Sequence, residues 1–112
     1  MYKIKYGQVD GSTPAFSEQE GNIYDADKLD WSLLPIKSMQ FVIQVLQYGA
    51  KKYAPDNWRH VPDANRRYKN AAARHIMAIL EGEWLDGDSG LPHAAHAASN
   101  CLFLLWFGDN EE

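Results

Sequence analysis

The sequence predicts an all-α fold, a helical bundle with a short N-terminal arm or hairpin, completed by oligomerisation. Three observations carry that expectation. Apolar residues recur at helical spacing in three long segments. Clusters of Pro, Gly, Asp and Asn separate those segments. Strand-like alternation is confined to Tyr2-Lys-Ile-Lys-Tyr6. Residues 1–24 are read as the arm and residues 25–112 as the helical domain.

After Tyr6 the arm is turn-rich, with Gly7 and Asp10-Gly-Ser-Thr-Pro14. A hairpin, an ordered arm and a flexible tail all fit it, and no chemistry is assigned there. Residues 25–35 lead into the first helix. Pro35 suits a first helical turn, where its missing N–H costs nothing. From Pro35 to about Tyr53, Met39, Val42, Leu46 and Ala50 form one apolar stripe, and Phe41, Val45 and Tyr48 form another. So wide an arc predicts burial on two sides. Ala54-Pro-Asp-Asn57 stops the helix, and a loop over 54–65 carries Asn57, Trp58 and Arg59.

A second helix is expected from Ala64 to Glu83, with Tyr68, Ala72, His75 and Ile79 in period. An acidic, Gly-rich connector follows from Gly82 to Gly90. Asp88 or Ser89 can cap a third helix, with Pro92 in its first turn and Gly108 at its end. Ala94, Ala95, Ala97 and Ala98 let a neighbour approach that helix closely. Three such helices make a thin bundle. Four Trp residues and wide apolar arcs therefore point to a homo-oligomer, a dimer or a tetramer.

The chain has 112 residues, enough for one domain with a single core. Hydrophobic content of 46% with 23% charged residues is that of a soluble globular protein. A net charge of -4 without a basic stripe argues against nucleic-acid binding. An anionic small molecule remains open, since a few local cations or a metal can hold phosphates. Cys101 is the only cysteine, so no intramolecular disulfide is available and a reduced, cytoplasmic setting is expected. Its apolar surroundings predict a small core residue. No apolar run has the length of a membrane span, and no signal-peptide stretch opens the chain. A Walker-type phosphate loop, zinc-binding cysteine pairs and an HD dipeptide are all missing: His75, His93 and His96 precede Ile76, Ala94 and Ala97.

The candidate chemistry lies late in the chain. His93, His96 and Asn100, spaced by three and four, share one helical face. They could meet one cation or phosphate, or form a satisfied hydrogen-bond network in the core. Glu83 and Asp86 could share a hard cation if the second helix persists that far, with Asp88 as a further ligand; a solvated connector is the alternative. Oxygen ligands suit Mg²⁺ or Mn²⁺, and imidazole moves the preference toward Mn²⁺ or other transition metals. Arg74, beside His75, could clamp phosphate or pair with Asp86 or Asp88. Lys52 could bind phosphate or complement its helix dipole. Trp58 could stack on a base or plug the end of the bundle.

Several of these segments occur together in a recognisable order. Trp31-Ser-Leu-Leu-Pro35, Tyr48-Gly-Ala-Lys-Lys-Tyr53, Asn57-Trp58, Ala73-Arg-His75, Gly82-Glu83 with Asp86, and Ser89-Gly-Leu-Pro-His-Ala-Ala-His96 leading into Asn100-Cys-Leu-Phe-Leu-Leu105 follow one another over about residues 25–107. Together they resemble the phage dATP/dGTP diphosphohydrolase N-terminal domain family, which is similar to the MazG-like all-α pyrophosphohydrolases. The resemblance implies an all-helical oligomer that uses Mg²⁺ or Mn²⁺ to cleave a nucleoside triphosphate between its α and β phosphates. The leading substrates would be dATP and dGTP, and the setting the cytoplasm of a phage's host.

On that reading Glu83 and Asp86 are the catalytic candidates. Asp86, Asp88, His93 and His96 are the metal candidates. Lys52, Asn57, Trp58, Arg74, His75 and Asn100 are the substrate-binding candidates. One departure stands out. The broader MazG-like pattern has a Glu-x-x-Glu pair on one helix, whereas the first helix here has Gln40, Gln44 and Gln47 and no acid. A non-enzymatic helical oligomer that binds a nucleotide or a host protein is therefore the alternative. A purely structural bundle, with its polar stripe fixing the core, is a third reading.

Overall fold

Three α-helices account for most of the described chain: α1 from Ile36 to Lys52, α2 from Ala64 to Leu80 and α3 from His93 to Phe107. The computed structural model describes residues 21–108. Of the expected hairpin or arm over residues 1–24, residues 1–20 lie outside them, and residues 21–24 form no regular element. The chain divides into two compact units, Met1–Pro35 and Ile36–Glu112. Within the first, Asp30 caps a short 3-10 helix, Trp31–Leu33, by accepting the Ser32 backbone N–H at 3.1 Å. All three helices belong to the second unit.

The fold is all-α, as expected. No strand occurs among the described residues; Leu85 and Pro92 form an isolated antiparallel bridge. No described helix is long and apolar enough to cross a membrane. α3 packs most extensively on α2 and less on α1. Alanines make this possible: Ala95 and Ala97 are buried beside Ser99 and Asn100, and so small a surface brings backbones close. Val42 and Val45 of α1 and Ala64 of α2 complete the buried apolar set. This is a core of small side chains.

Much larger apolar groups stay outside it. Phe41 and Ile43 are 48% and 51% exposed, so α1 is buried along one side of its arc in the single chain, not two. Ile76, Met77 and Leu80 on α2, and Leu102, Leu105 and Trp106 on α3, are exposed as well. Cys101 belongs to this outer face. The expectation of a buried cysteine fails because α3 turns Cys101, Leu102 and Leu105 outward while Ala95, Ala97 and Asn100 face inward.

Two helix boundaries differ from expectation, and both differences shape the site. α2 ends at Leu80, short of Glu83. Gly82 adopts a positive φ of 95° and donates its N–H to Ile79 O at 2.9 Å; Glu83 N–H reaches Ala78 O at 2.9 Å. These paired bonds are a Schellman termination, which satisfies orphan carbonyls and turns the chain away. Glu83 and Asp86 therefore do not share a helical face. At the start of α3 the capping position is occupied by Pro92, with no side-chain cap from Asp88 or Ser89. The connector folds back on itself instead: Asp86 N–H bonds Leu91 O at 2.8 Å, and His93 N–H bonds Trp84 O at 2.9 Å. Ser89 is drawn into that loop by Asp86 and Asp88 is left exposed, so neither caps α3.

The loop between α1 and α2 contains a short 3-10 helix, Asn57–His60. Its Trp58 ring stacks on Phe103 at 4.6 Å and meets Trp106 and Phe107 edge-on. Tyr68 donates its hydroxyl to the Trp58 carbonyl at 2.8 Å, which ties this turn to α2. An aromatic cluster thus closes one end of the bundle, around Trp58 and Phe103.

Candidate active site

Three of the four histidines, His75, His93 and His96, come together at the crossing of α2 and α3, under the refolded connector. His75 on α2 and His93 at the start of α3 place their Nδ1 atoms 2.8 Å apart. Two nitrogen lone pairs cannot sit so close bare, so in the protein alone one of them carries a proton that the other accepts. The second nitrogen of His93, Nε2, is 2.8 Å from Oε1 of Glu83. His93 is among the most buried polar residues, and both its ring nitrogens have partners.

His96 lies one turn further along α3. Its ring stacks on His75 at 4.6 Å with planes 12° apart, and Tyr48 of α1 meets it edge-on. Its Nε2 is 2.7 Å from the Ser89 hydroxyl and 3.8 Å from Oδ2 of Asp86. Ser89 is the organiser of this corner. Its backbone N–H donates to Asp86 Oδ2 at 2.8 Å, while its hydroxyl accepts the Leu91 N–H at 3.1 Å. Asn100 donates back to the His96 carbonyl at 3.0 Å, in the turn below.

Electrostatics bias His75, His96 and Asp86 toward the forms that bind cations. Burial pushes His75 below the ordinary histidine value, and His96 and His93 beside it add to that push. Burial lowers His96 too, against the pull of Asp86. For Asp86, burial acts upward but is outweighed by the Ser89 hydrogen bonds and by His96 and His75, so the carboxyl stays below the usual carboxylate range. Neutral imidazoles beside an ionised carboxylate are the forms in which these groups bind cations.

One atom each from His75, Asp86 and His93 lies within 4.8 Å of the other two, a set compatible with a metal ion. Mixed nitrogen and oxygen donors fit a divalent cation, with Mn²⁺ better matched than Mg²⁺. Asp88 is exposed and outside this set.

A cavity of about 1010 Å³ opens beside the cluster. His75, His96, Asp86, Asp88 and Asn100 line it from one side, and Lys52, Asn57, Trp58 and Arg74 also face it. Among the described residues Arg74 forms no ion pair, so the expected alternative of a bridge to Asp86 or Asp88 does not occur. Lys52 rides over the Tyr53 and Tyr48 rings at 5.4 and 5.9 Å; Tyr53, foremost, holds its ammonium above the ordinary lysine value. One face of the Trp58 ring is already covered by Phe103. Arg67 and Asn70 line the cavity as well, and sequence reasoning passed over them. Their signal was present: Arg67, Asn70 and Arg74 stand at helical spacings of three and four. Ser89 was considered only as a cap.

Residues 18–112 match the family described as dATP/dGTP diphosphohydrolase, N-terminal. The chain belongs to this family. A dATP/dGTP diphosphohydrolase of Salmonella phage PMBT28 is 33% identical over 87 residues, covering 78% of this chain. The chain spans 29% of that relative's length. No solved structure matches the chain significantly. Within the family segment lie all the candidate site residues: Lys52, Asn57, Trp58, Arg74, His75, Glu83, Asp86, Asp88, His93, His96 and Asn100.

Proposed function

We propose that the chain hydrolyses a deoxynucleoside triphosphate, dATP or dGTP foremost, to the monophosphate and pyrophosphate in a metal-dependent reaction. The observation that carries this reading is one cavity with a histidine–carboxylate cluster at its wall and the cations Lys52 and Arg74 along it. Membership of the family, and the name of the phage relative, supply the substrate class. The deoxynucleotide substrate, Mg²⁺ or Mn²⁺ as cofactor, and a homo-oligomeric state are all part of the proposal.

Asp86 and the histidines would hold the cation. A bound divalent cation lowers the pKa of water and offsets charge on phosphoryl oxygens. The chain's own residues do the rest. Lys52 and Arg74 neutralise phosphate charge as it grows in the transition state. Arg74 offers a planar fork of donors, suited to two phosphate oxygens at once. Asn57, Trp58 and Asn100 line the same cavity and would contact the sugar or base. Glu83, bonded to His93, orients that imidazole. The exposed Phe41, Ile43, Leu105 and Trp106 favour burial between copies of the chain.

A second reading draws on a specific feature of α1. Its sequence, from Ile36 to Lys52, has no Asp or Glu, so it offers the cavity no carboxylate. A nucleotide-binding oligomer without turnover fits that feature. Pyrophosphate release from the eight common NTPs and dNTPs, with Mg²⁺, with Mn²⁺ and with chelator, separates the two. Metal-dependent release, greatest with dATP or dGTP, is the expected result. No release from any nucleotide, with nucleotide binding retained, would establish the second reading.

A further inference from the structure

We propose that His75, His93 and Asp86 form a transition-metal site built across α2, α3 and the connector, with Glu83 as the outer carboxylate that orients His93. The proposal deepens the metal-dependent reading above, and rests on it for the purpose of the ion but not for its detection. It differs from the pairing that the sequence spacing suggested, in which His93 and His96 on one helix would share the cation.

Geometry favours His75 over His96 as the partner of His93. An imidazole lone pair lies in the plane of its ring, so a bound ion must lie near that plane. The His75 and His96 rings are stacked with planes 12° apart. An ion in the plane of one lies out of the plane of the other, so an ion held by His75 is not shared with His96. Nε2 of His96 is also taken by the Ser89 hydroxyl at 2.7 Å. By contrast, the His75 and His93 rings are tilted by 44°, and their Nδ1 atoms converge to 2.8 Å. Two imidazoles on one ion, each at roughly 2.0–2.1 Å, set their nitrogens about 2.9 Å apart at a right angle and about 3.3 Å apart at a tetrahedral one. The observed 2.8 Å is a hydrogen-bond spacing, and the two rings need to open by only a few tenths of an ångström to admit an ion. A proton fills the slot in the protein alone, and a cation would replace it.

The surroundings of His93 follow a recurrent pattern of metal sites. A ligating histidine commonly donates its other ring N–H to a carboxylate, which fixes the tautomer and raises its basicity. Glu83 accepts from His93 Nε2 at 2.8 Å, which leaves Nδ1 as the lone-pair nitrogen facing His75. Asp86 adds an oxygen: its Oδ2 is held by Ser89, and its Oδ1 makes none of these bonds. Two nitrogens and one carboxylate favour a borderline ion such as Mn²⁺, Co²⁺ or Zn²⁺ over Mg²⁺, which prefers oxygen ligands and retains its waters.

The test is a Co²⁺ titration of the full chain after chelator treatment, read by visible absorption and by metal content per chain. One Co²⁺ per chain is expected, with absorption bands distinct from the aqua ion and resistant to a large excess of Mg²⁺. His75→Ala and Asp86→Asn should each weaken binding by at least about 100-fold, and Glu83→Gln by roughly 10–100-fold. His96→Ala should retain the ion within about threefold, since it loses no ligand. His93→Ala removes a buried residue, so the exposed and half-buried variants carry the test, each checked for helicity by circular dichroism.

An aqua-ion spectrum throughout, or binding lost in His96→Ala and kept in His75→Ala, would overturn the proposal. The two readings fail separately. Pyrophosphate release with Mg²⁺ from a protein that binds no Co²⁺ sinks the site but not the hydrolase. A bound ion with no release from any nucleotide leaves the site standing and sinks the hydrolase.

Discussion

Glu83 and His93 are bonded at 2.8 Å, although the carboxylate is 60% exposed and the imidazole 6% exposed. The pair joins the start of the connector to the start of α3, and its solvent-facing member satisfies its buried one. Removing the partner of a buried donor costs more than the bond itself contributes. Glu83→Ala should therefore destabilise the protein by about 1–3 kcal/mol, and Glu83→Gln, which keeps an acceptor oxygen, by less. Urea unfolding of the metal-free protein checks this. Equal midpoints for both variants and the parent would mean that His93 finds another partner.

Gly82 should not tolerate a side chain. Its φ of 95° is a backbone conformation that favours glycine, and it completes the α2 termination that launches the connector. No neighbouring atom would meet an added Cβ, so the effect of Gly82→Ala is conformational alone. A loss of roughly 1–2 kcal/mol is expected. Thermal unfolding gives the number, and an unchanged melting temperature would contradict the assigned conformation.

Trp58 holds the far end of the bundle through Phe103, Trp106 and Phe107. Trp58→Ala should cost about 3 kcal/mol, in the range of large-to-small changes in packed clusters. Trp58→Phe should recover most of that. If Trp58 also meets the nucleobase, Trp58→Phe will raise KM for the nucleotide with kcat unchanged. A KM equal to the parent's would confine Trp58 to packing.

Tyr68 gives a pH prediction away from the histidines. Burial raises its hydroxyl above the ordinary tyrosine value of 10.0, against a small opposing effect of Arg67. Its proton makes the bond to the Trp58 carbonyl. A raised folded-state pKa means the stabilisation is fully present below the unfolded value. It is lost as pH rises through the folded one. Alkaline unfolding should accelerate above about pH 10, and Tyr68→Phe should remove that step while lowering stability at neutral pH. An identical alkaline limb in Tyr68→Phe would rule Tyr68 out.

The helices were legible because apolar periodicity and Pro or Gly punctuation report local geometry. α1 and α3 fall close to their expected ranges, ending at Lys52 and Phe107. The Glu83, Asp86, His93 and His96 segment was legible as polar chemistry in an apolar setting. What spacing could not reveal was pairing between helices. His75 and His93 are 18 residues apart and meet only because α2 stops at Leu80 and the connector folds back. An i, i+3 pattern speaks for one helix face, so it favoured His93 with His96. Ser89 was hidden for the same reason: a serine before a helix reads as a cap, and only the folded loop turns its hydroxyl toward His96. Cys101 misled because an apolar sequence neighbourhood does not say which face of a thin bundle remains uncovered.

The central claim is that the cluster around Asp86 cleaves a deoxynucleoside triphosphate. The most direct measurement is pyrophosphate release from dATP and dGTP, with Mn²⁺, by the parent chain and by Asp86→Asn in parallel. The account predicts release by the parent and a loss of at least about 100-fold in Asp86→Asn at unchanged helicity. Equal release by the two proteins would contradict it.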